Sequence, residues 1–214
     1  MFDRPPGESE FRSWVLVALW SGLIFATIPF APLAVKHVGR ALGSSALTII
    51  LALLAAAALA GVLGWLVHRG KTDMGGFAWF AATSALLMAL MTVLRPASPA
   101  EAFHYLEYGV LGLLLFRALT HRVRDWSIYI FAVLIGAMIG TADEVIQWLT
   151  PKRYFEFADI ALNVTGVALA QAMLAGAVRP QIISGWPDAQ QWRQVALLAG
   201  ALALMLALCL AIPS

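Results

Sequence analysis

Gly140-Thr-Ala-Asp143-Glu144-Val-Ile-Gln147-Trp-Leu-Thr-Pro151-Lys-Arg153-Tyr-Phe-Glu156-Phe-Ala-Asp159-Ile-Ala-Leu-Asn163-Val-Thr-Gly166 is a polar island in an apolar chain. On either side run Ala, Leu, Val, Ile, Phe and Trp, at lengths that cross a bilayer. Inside it, carboxylates, a Gln, an Arg and an Asn fall at what must be the ends of two apolar helices. Such groups are costly at membrane depth and mark a functional region by default.

The surroundings set the class. Of 214 residues, 61% are apolar and 12% charged, with a mean hydropathy of +0.82. Soluble globular proteins carry roughly 25% charged residues, so this chain lacks the polar surface to face water. The sequence therefore implies an all-α, polytopic transmembrane bundle forming one domain over residues 1–214. The net charge of +2 comes from Lys and Arg in short loops. That pattern fits orientation in a membrane and argues against nucleic acid as a partner. Cys209, in an apolar run, is the single cysteine and excludes a disulfide framework.

A helix crosses the hydrocarbon layer with about 20 residues. Seven stretches qualify: Trp14 to Leu33, Ser45 to Val67, Gly76 to Leu94, Phe103 to Leu119, Trp126 to Gln147, Ala158 to Val178 and Gln194 to Ile212. Trp14, Trp65, Trp79, Trp126, Trp148, Trp186 and Trp192 fall near their ends, where interfacial anchors belong. Counting Lys and Arg gives nine on the N-terminal side and five on the other. The positive-inside rule then makes the N-terminus cytoplasmic. It also places Arg95, His104 and the polar island together on the outer face.

Helix geometry sharpens this. Residues three and four apart share a face. Ala132, Gly136, Gly140 and Glu144 form a small-residue ladder rising to a carboxylate, with Asp143 and Gln147 beside it. Asp159, Asn163, Gly166 and Ala170 repeat the arrangement, as do His104, Tyr108 and Gly112 with Glu107 adjacent. Small residues let helix backbones approach closely. Packing the three faces together gathers Asp143, Glu144, Gln147, Asp159, Asn163, His104 and Arg153 in one outward-facing cup.

The pattern Asp143-Glu144-x2-Gln147-x3-Pro151-x-Arg153-x5-Asp159-x3-Asn163-x2-Gly166 resembles the signature of the VanZ-like membrane proteins. The upstream His104-x3-Tyr108-x3-Gly112 resembles a helix of the same family. The resemblance covers a core of about residues 76–178. It departs at Lys152-Arg153-Tyr154, where the family commonly has Gly-Arg followed by Ser or Thr, and at Glu101-Ala102, where a Lys precedes the His. What it implies is a cell-envelope context in the bacterial plasma (inner) membrane, since the family takes its name from a protein associated with low-level teicoplanin resistance. It implies no particular reaction.

Several roles fit these residues. Asp143 and Glu144 suit a general acid–base pair, or ligands for a divalent cation together with Asp159. They equally suit an ion pair to Arg153 or Arg95, because a carboxylate at a helix C-terminus opposes the dipole and needs an offset. Asp159 also suits a helix N-cap, and Asn163 an interhelical hydrogen bond. His104 suits a proton carrier. Arg153 and Arg95 suit bidentate phosphate binding or snorkelling to headgroups. Gln147 and Tyr108 suit supporting contacts to a substrate, and Tyr108 equally suits a helix-packing hydroxyl. No Ser-His-Asp order, His-Glu-x-x-His, Cys-x-x-Cys or glycine-rich phosphate loop occurs. The leading expectation is a cup that engages a membrane lipid or lipid-linked envelope precursor bearing phosphate. A hydrolase or transferase with Glu144 or His104 as base, and a flippase, are the alternatives.

Overall fold

A computed structural model describes residues 7, 9–43, 46–70, 72–94, 99–151 and 153–212. Eight helices and no strand are found among them: α1 (Glu10–Thr27), α2 (Ala31–Leu42), α3 (Ala46–Arg69), α4 (Met74–Ala89, continued by a π turn Leu90–Leu94), α5 (Pro99–Leu119), α6 (Ser127–Leu149), α7 (Phe157–Met173, continued by a π turn Leu174–Val178) and α8 (Ala189–Cys209). Six of these, α3 to α8, are long and apolar enough to cross a membrane, against the seven expected.

The first expected span divides in two. α1 stops at Thr27, and the separate, amphipathic α2 starts at Ala31. Pro29 and Pro32 explain the break. Each lacks a backbone donor, so one cannot continue a helix and the other is well suited to its first turn. α1 has 18 residues, about 27 Å, but Glu10 and Arg12 occupy its start. α2, with 12 residues, is about 18 Å long and too short to span.

Helix starts follow from side chains that satisfy otherwise orphaned amides, a strict requirement near lipid. Ser9 accepts from the Arg12 N–H at 3.2 Å, and Asp73 from Gly76 at 2.7 Å. Asp188 and Gln191 form a reciprocal capping box at α8.

The centre of the bundle is α5, flanked by α1, α6 and α7. Glycines set how closely these helices approach. A Cβ on Gly136 would lie 2.6 Å from Val167, and one on Gly140 would lie 2.9 Å from the Asn163 Cβ, so α6 and α7 touch backbone to side chain. Gly166 meets Tyr105 and Tyr108 of α5 in the same way. Around this core, α3 and α8 present Leu53, Leu54, Leu197, Leu204 and Leu208 outward, as helices facing lipid do.

α4 is fastened to the π turn of α7. The Trp79 indole donates to the Ala172 carbonyl at 2.7 Å and lies directly over Gly176. Expected as an interfacial anchor, Trp79 here holds one helix to another. At the same end Arg69 donates to the Val178 carbonyl at 3.1 Å, and Arg179 pairs with Asp73 at 2.9 Å. Ser13 bonds His121 at 3.0 Å and Glu10 pairs with Arg122. α1 therefore begins beside the end of α5 and runs antiparallel to it, reaching the opposite, polar end of the bundle at Ile24 and Thr27.

Candidate functional site

The last turns of α6 carry a relay of hydrogen bonds. Glu144 is fully buried and accepts with both oxygens, from Gln147 Nε2 at 2.7 Å and from the Glu156 backbone N–H at 3.1 Å. Two N–H donors thus meet the two acceptor oxygens of one side chain. Gln147 then accepts from the Arg153 guanidinium through its Oε1. Glu144 thus orients Gln147, Gln147 orients Arg153, and the Glu156 contact fixes the start of α7. The helix runs on to Leu149, so Asp143 and Glu144 lie within it rather than at its tip.

α5 and α7 supply the rest. The Tyr108 hydroxyl donates to Asp143 Oδ2 at 3.2 Å, while Asp143 Oδ1 has no partner among the described residues. His104 Nε2 lies 3.9 Å from Asp159 Oδ2. The α7 N-cap position belongs to Glu156; Asp159 sits in the first turn, where the helix dipole favours a negative charge. Asn163 is fully buried against Gly140, and neither polar atom of its amide has a partner among the described residues. Arg95 lies outside the described residues.

A cavity of about 200 Å³ opens beside these groups. That is far more than the roughly 15 Å³ one water needs. One wall is polar: His104, Glu107, Asp143, Gln147 and Arg153. The other is apolar: Ile24, Ile28, Phe30, Val35, Leu47 and Phe103. The structure brings together Asp143, Gln147, His104 and Arg153 at this wall. Tyr108, bonded to Asp143, and Asp159, 3.9 Å from His104, flank it without lining the space. Glu144 and Asn163 are packed between helices instead of lining the space. Among the described residues no three His, Cys, Asp or Glu side chains gather as a metal site would require.

Sequence reasoning missed half of this cavity. Most of its apolar wall comes from the end of α1, the turn after it and α2, which carry no motif, with Leu47 of α3 and Phe103 of α5 completing it. The available signal was the Pro32 start followed by Val35 and Val38 interleaved with Lys36 and Arg40. Glu107, set adjacent to the motif face, proves to line the pocket. The backbone carbonyl of Glu107 accepts from the Trp20 indole at 2.9 Å, which ties α1 to α5 beside the site.

A bundle of long apolar helices, with buried carboxylates gathered beside an amphipathic cavity at one end, defines a multi-pass membrane protein. Comparison with known families gives the particular one. The profile of the VanZ/LLP1 family matches residues 13–178, most of the chain, and the protein belongs to that family. The match begins in α1, ahead of the 76–178 core read from the motifs, and so takes in the helices that build the apolar wall. No curated protein and no solved structure matched the chain.

Proposed function

We propose that the cavity receives the headgroup of a membrane lipid, or of a lipid-linked envelope molecule, that carries phosphate. One observation carries this reading. A single pocket joins an arginine already aimed by Gln147 to a wall of Ile, Leu, Val and Phe, the two chemistries of an amphiphile. With one of its donors on Gln147, the guanidinium has others without a partner among the described residues, available for phosphate oxygens.

On this reading the protein works in the bacterial plasma membrane with the site at the outer face and the N-terminus inside. The excess of Lys and Arg at the opposite end supports that orientation. The antiparallel course of α1 along α5 supports a seventh crossing, with α2 lying in the interface. Binding an envelope lipid there would give the protein a means to alter teicoplanin susceptibility.

The test is lipid binding to the purified chain in detergent. Arg153→Ala removes charge-assisted hydrogen bonds of about 1.5–3 kcal/mol each, so affinity for a phospholipid should fall roughly 10- to 150-fold. Unchanged affinity would reject the reading. A second reading rests on His104 and Asp159: a histidine on the pocket wall with a carboxylate 3.9 Å away supplies the two groups from which an oriented general base is built. It requires release of a headgroup or phosphate product in detergent with no membrane gradient. Intact lipid recovered after prolonged incubation would exclude it.

A further inference from the structure

The wall that holds Arg153 also holds two carboxylates, Glu107 and Asp143. Glu107 makes no side-chain hydrogen bond or ion pair among the described residues. Asp143 is 1% exposed, and Tyr108 serves one of its oxygens while the other meets no donor among the described residues. A buried acceptor left without a donor is a costly arrangement, and charged ones are the costliest. A donor entering the pocket would satisfy it.

Charge decides what kind of donor. Among the described lining residues Arg153 is the permanent cation, and His104 faces Asp159. Two acidic side chains therefore share the wall with it. A headgroup bringing only phosphate would add negative charge to a wall of low dielectric, where like charges repel strongly. A headgroup bringing phosphate and an ammonium adds no net charge and offers N–H donors to both carboxylates. A quaternary ammonium would satisfy the charge but has no N–H for the unserved Asp143 oxygen.

We infer that the site selects a phospholipid with a primary ammonium beside its phosphate. Its phosphate sits on Arg153, and its ammonium donates to Asp143 Oδ1 and Glu107. This rests on the lipid-headgroup reading above and specifies its ligand class.

The test uses the full chain in detergent with phosphatidylethanolamine, phosphatidylcholine and phosphatidylglycerol of identical acyl chains, and with free phosphoethanolamine. Binding is read by native mass spectrometry and tryptophan fluorescence. The expected result is phosphatidylethanolamine roughly tenfold tighter than either other lipid. Glu107→Gln should bring it to within about threefold of phosphatidylglycerol. Equal binding of the three lipids by the unaltered protein, or a preference for phosphatidylglycerol, overturns the ammonium assignment and leaves the lipid reading standing. Binding of none of the four overturns both. Free phosphoethanolamine binding as tightly as the lipid keeps the headgroup chemistry and overturns a lipid as its source. The ranking on the unaltered protein decides the matter even if the variant fails to fold.

Discussion

Glu144→Gln is the substitution whose outcome the relay fixes most tightly. The two Glu144 oxygens face two donors, Gln147 Nε2 at 2.7 Å and the Glu156 N–H at 3.1 Å. A glutamine offers one oxygen and one NH2 group, so one of those donors must meet another donor. Turning the Gln147 amide over does not help, because its Nε2 would then face the Arg153 guanidinium. One buried donor therefore stays unsatisfied, at about 1–3 kcal/mol. For a chain of this length each kcal/mol lowers the melting temperature by about 2–4 °C, so the expected drop is about 2–12 °C. Cys209, buried and the single cysteine, makes a native reporter: a thiol-reactive dye labels it only as the bundle opens. The companion variant Glu144→Gln/Gln147→Glu restores the pattern. The amide now at position 144 accepts from the Glu156 N–H and donates to the carboxylate now at position 147, which in turn accepts from Arg153. This exchange should recover most of the lost stability. A single variant as stable as wild type, or a double variant worse than the single one, would refute the relay.

The helix contacts make further expectations. Gly140→Ala sets a Cβ 2.9 Å from the Cβ of Asn163, an atom fixed to the α7 backbone, and overpacking of this kind costs about 1–3 kcal/mol; the same dye assay should show it, while Gly200→Ala, with open space around it, should melt as wild type. Gly176→Ala drives a methyl group into the Trp79 ring, so it should break the Trp79–Ala172 hydrogen bond and shift tryptophan emission to the red; an unchanged spectrum would contradict the packing. Asp73 is held below the usual carboxylate range, chiefly by the Gly76 N–H and then by Arg179. A depressed value stabilises the fold above the unfolded pKa of 3.8 and loses that contribution as pH falls through the lower folded value, so Asp73→Asn should flatten the acid side of a melting-temperature profile taken below pH 4. In a Cys209→Ala background, a cysteine at Thr150 should react with an impermeant maleimide on intact cells and one at Ser184 should not; the reverse pattern would invert the orientation.

How much of this was legible depended on whether one helix or several had to be known. The face that Gly136, Gly140 and Glu144 share belongs to α6 alone, and the spacing of three and four gives it directly. The same holds for His104 with Tyr108 and for Asp159 with Asn163. Small residues on all three faces made their convergence a reasonable expectation, and the contacts of Gly136, Gly140 and Gly166 realise it. The division of labour between Asp143 and Glu144 was not legible. Adjacent residues on a helix point about 100° apart, and which of them meets the cavity depends on where α1 and α2 lie. That in turn depends on the Pro29–Pro32 turn, which a hydropathy reading passes over as the tail of one long span. Trp79 shows the same limit from the other side. Position near a helix end suggests a headgroup anchor, whereas the π turn opposite it, which no residue pattern announced, turns the indole into an interhelical donor.

What fills the cavity between α1, α5 and α6 decides whether this is a lipid site. The most direct measurement is a structure determined in nanodiscs of native lipid. The expected density is a phospholipid with its phosphate against Arg153, its headgroup reaching Asp143, and a chain along Ile24, Phe30 and Val35. A cavity holding only water, or a lipid seated elsewhere with Arg153 turned to bulk solvent, would contradict it.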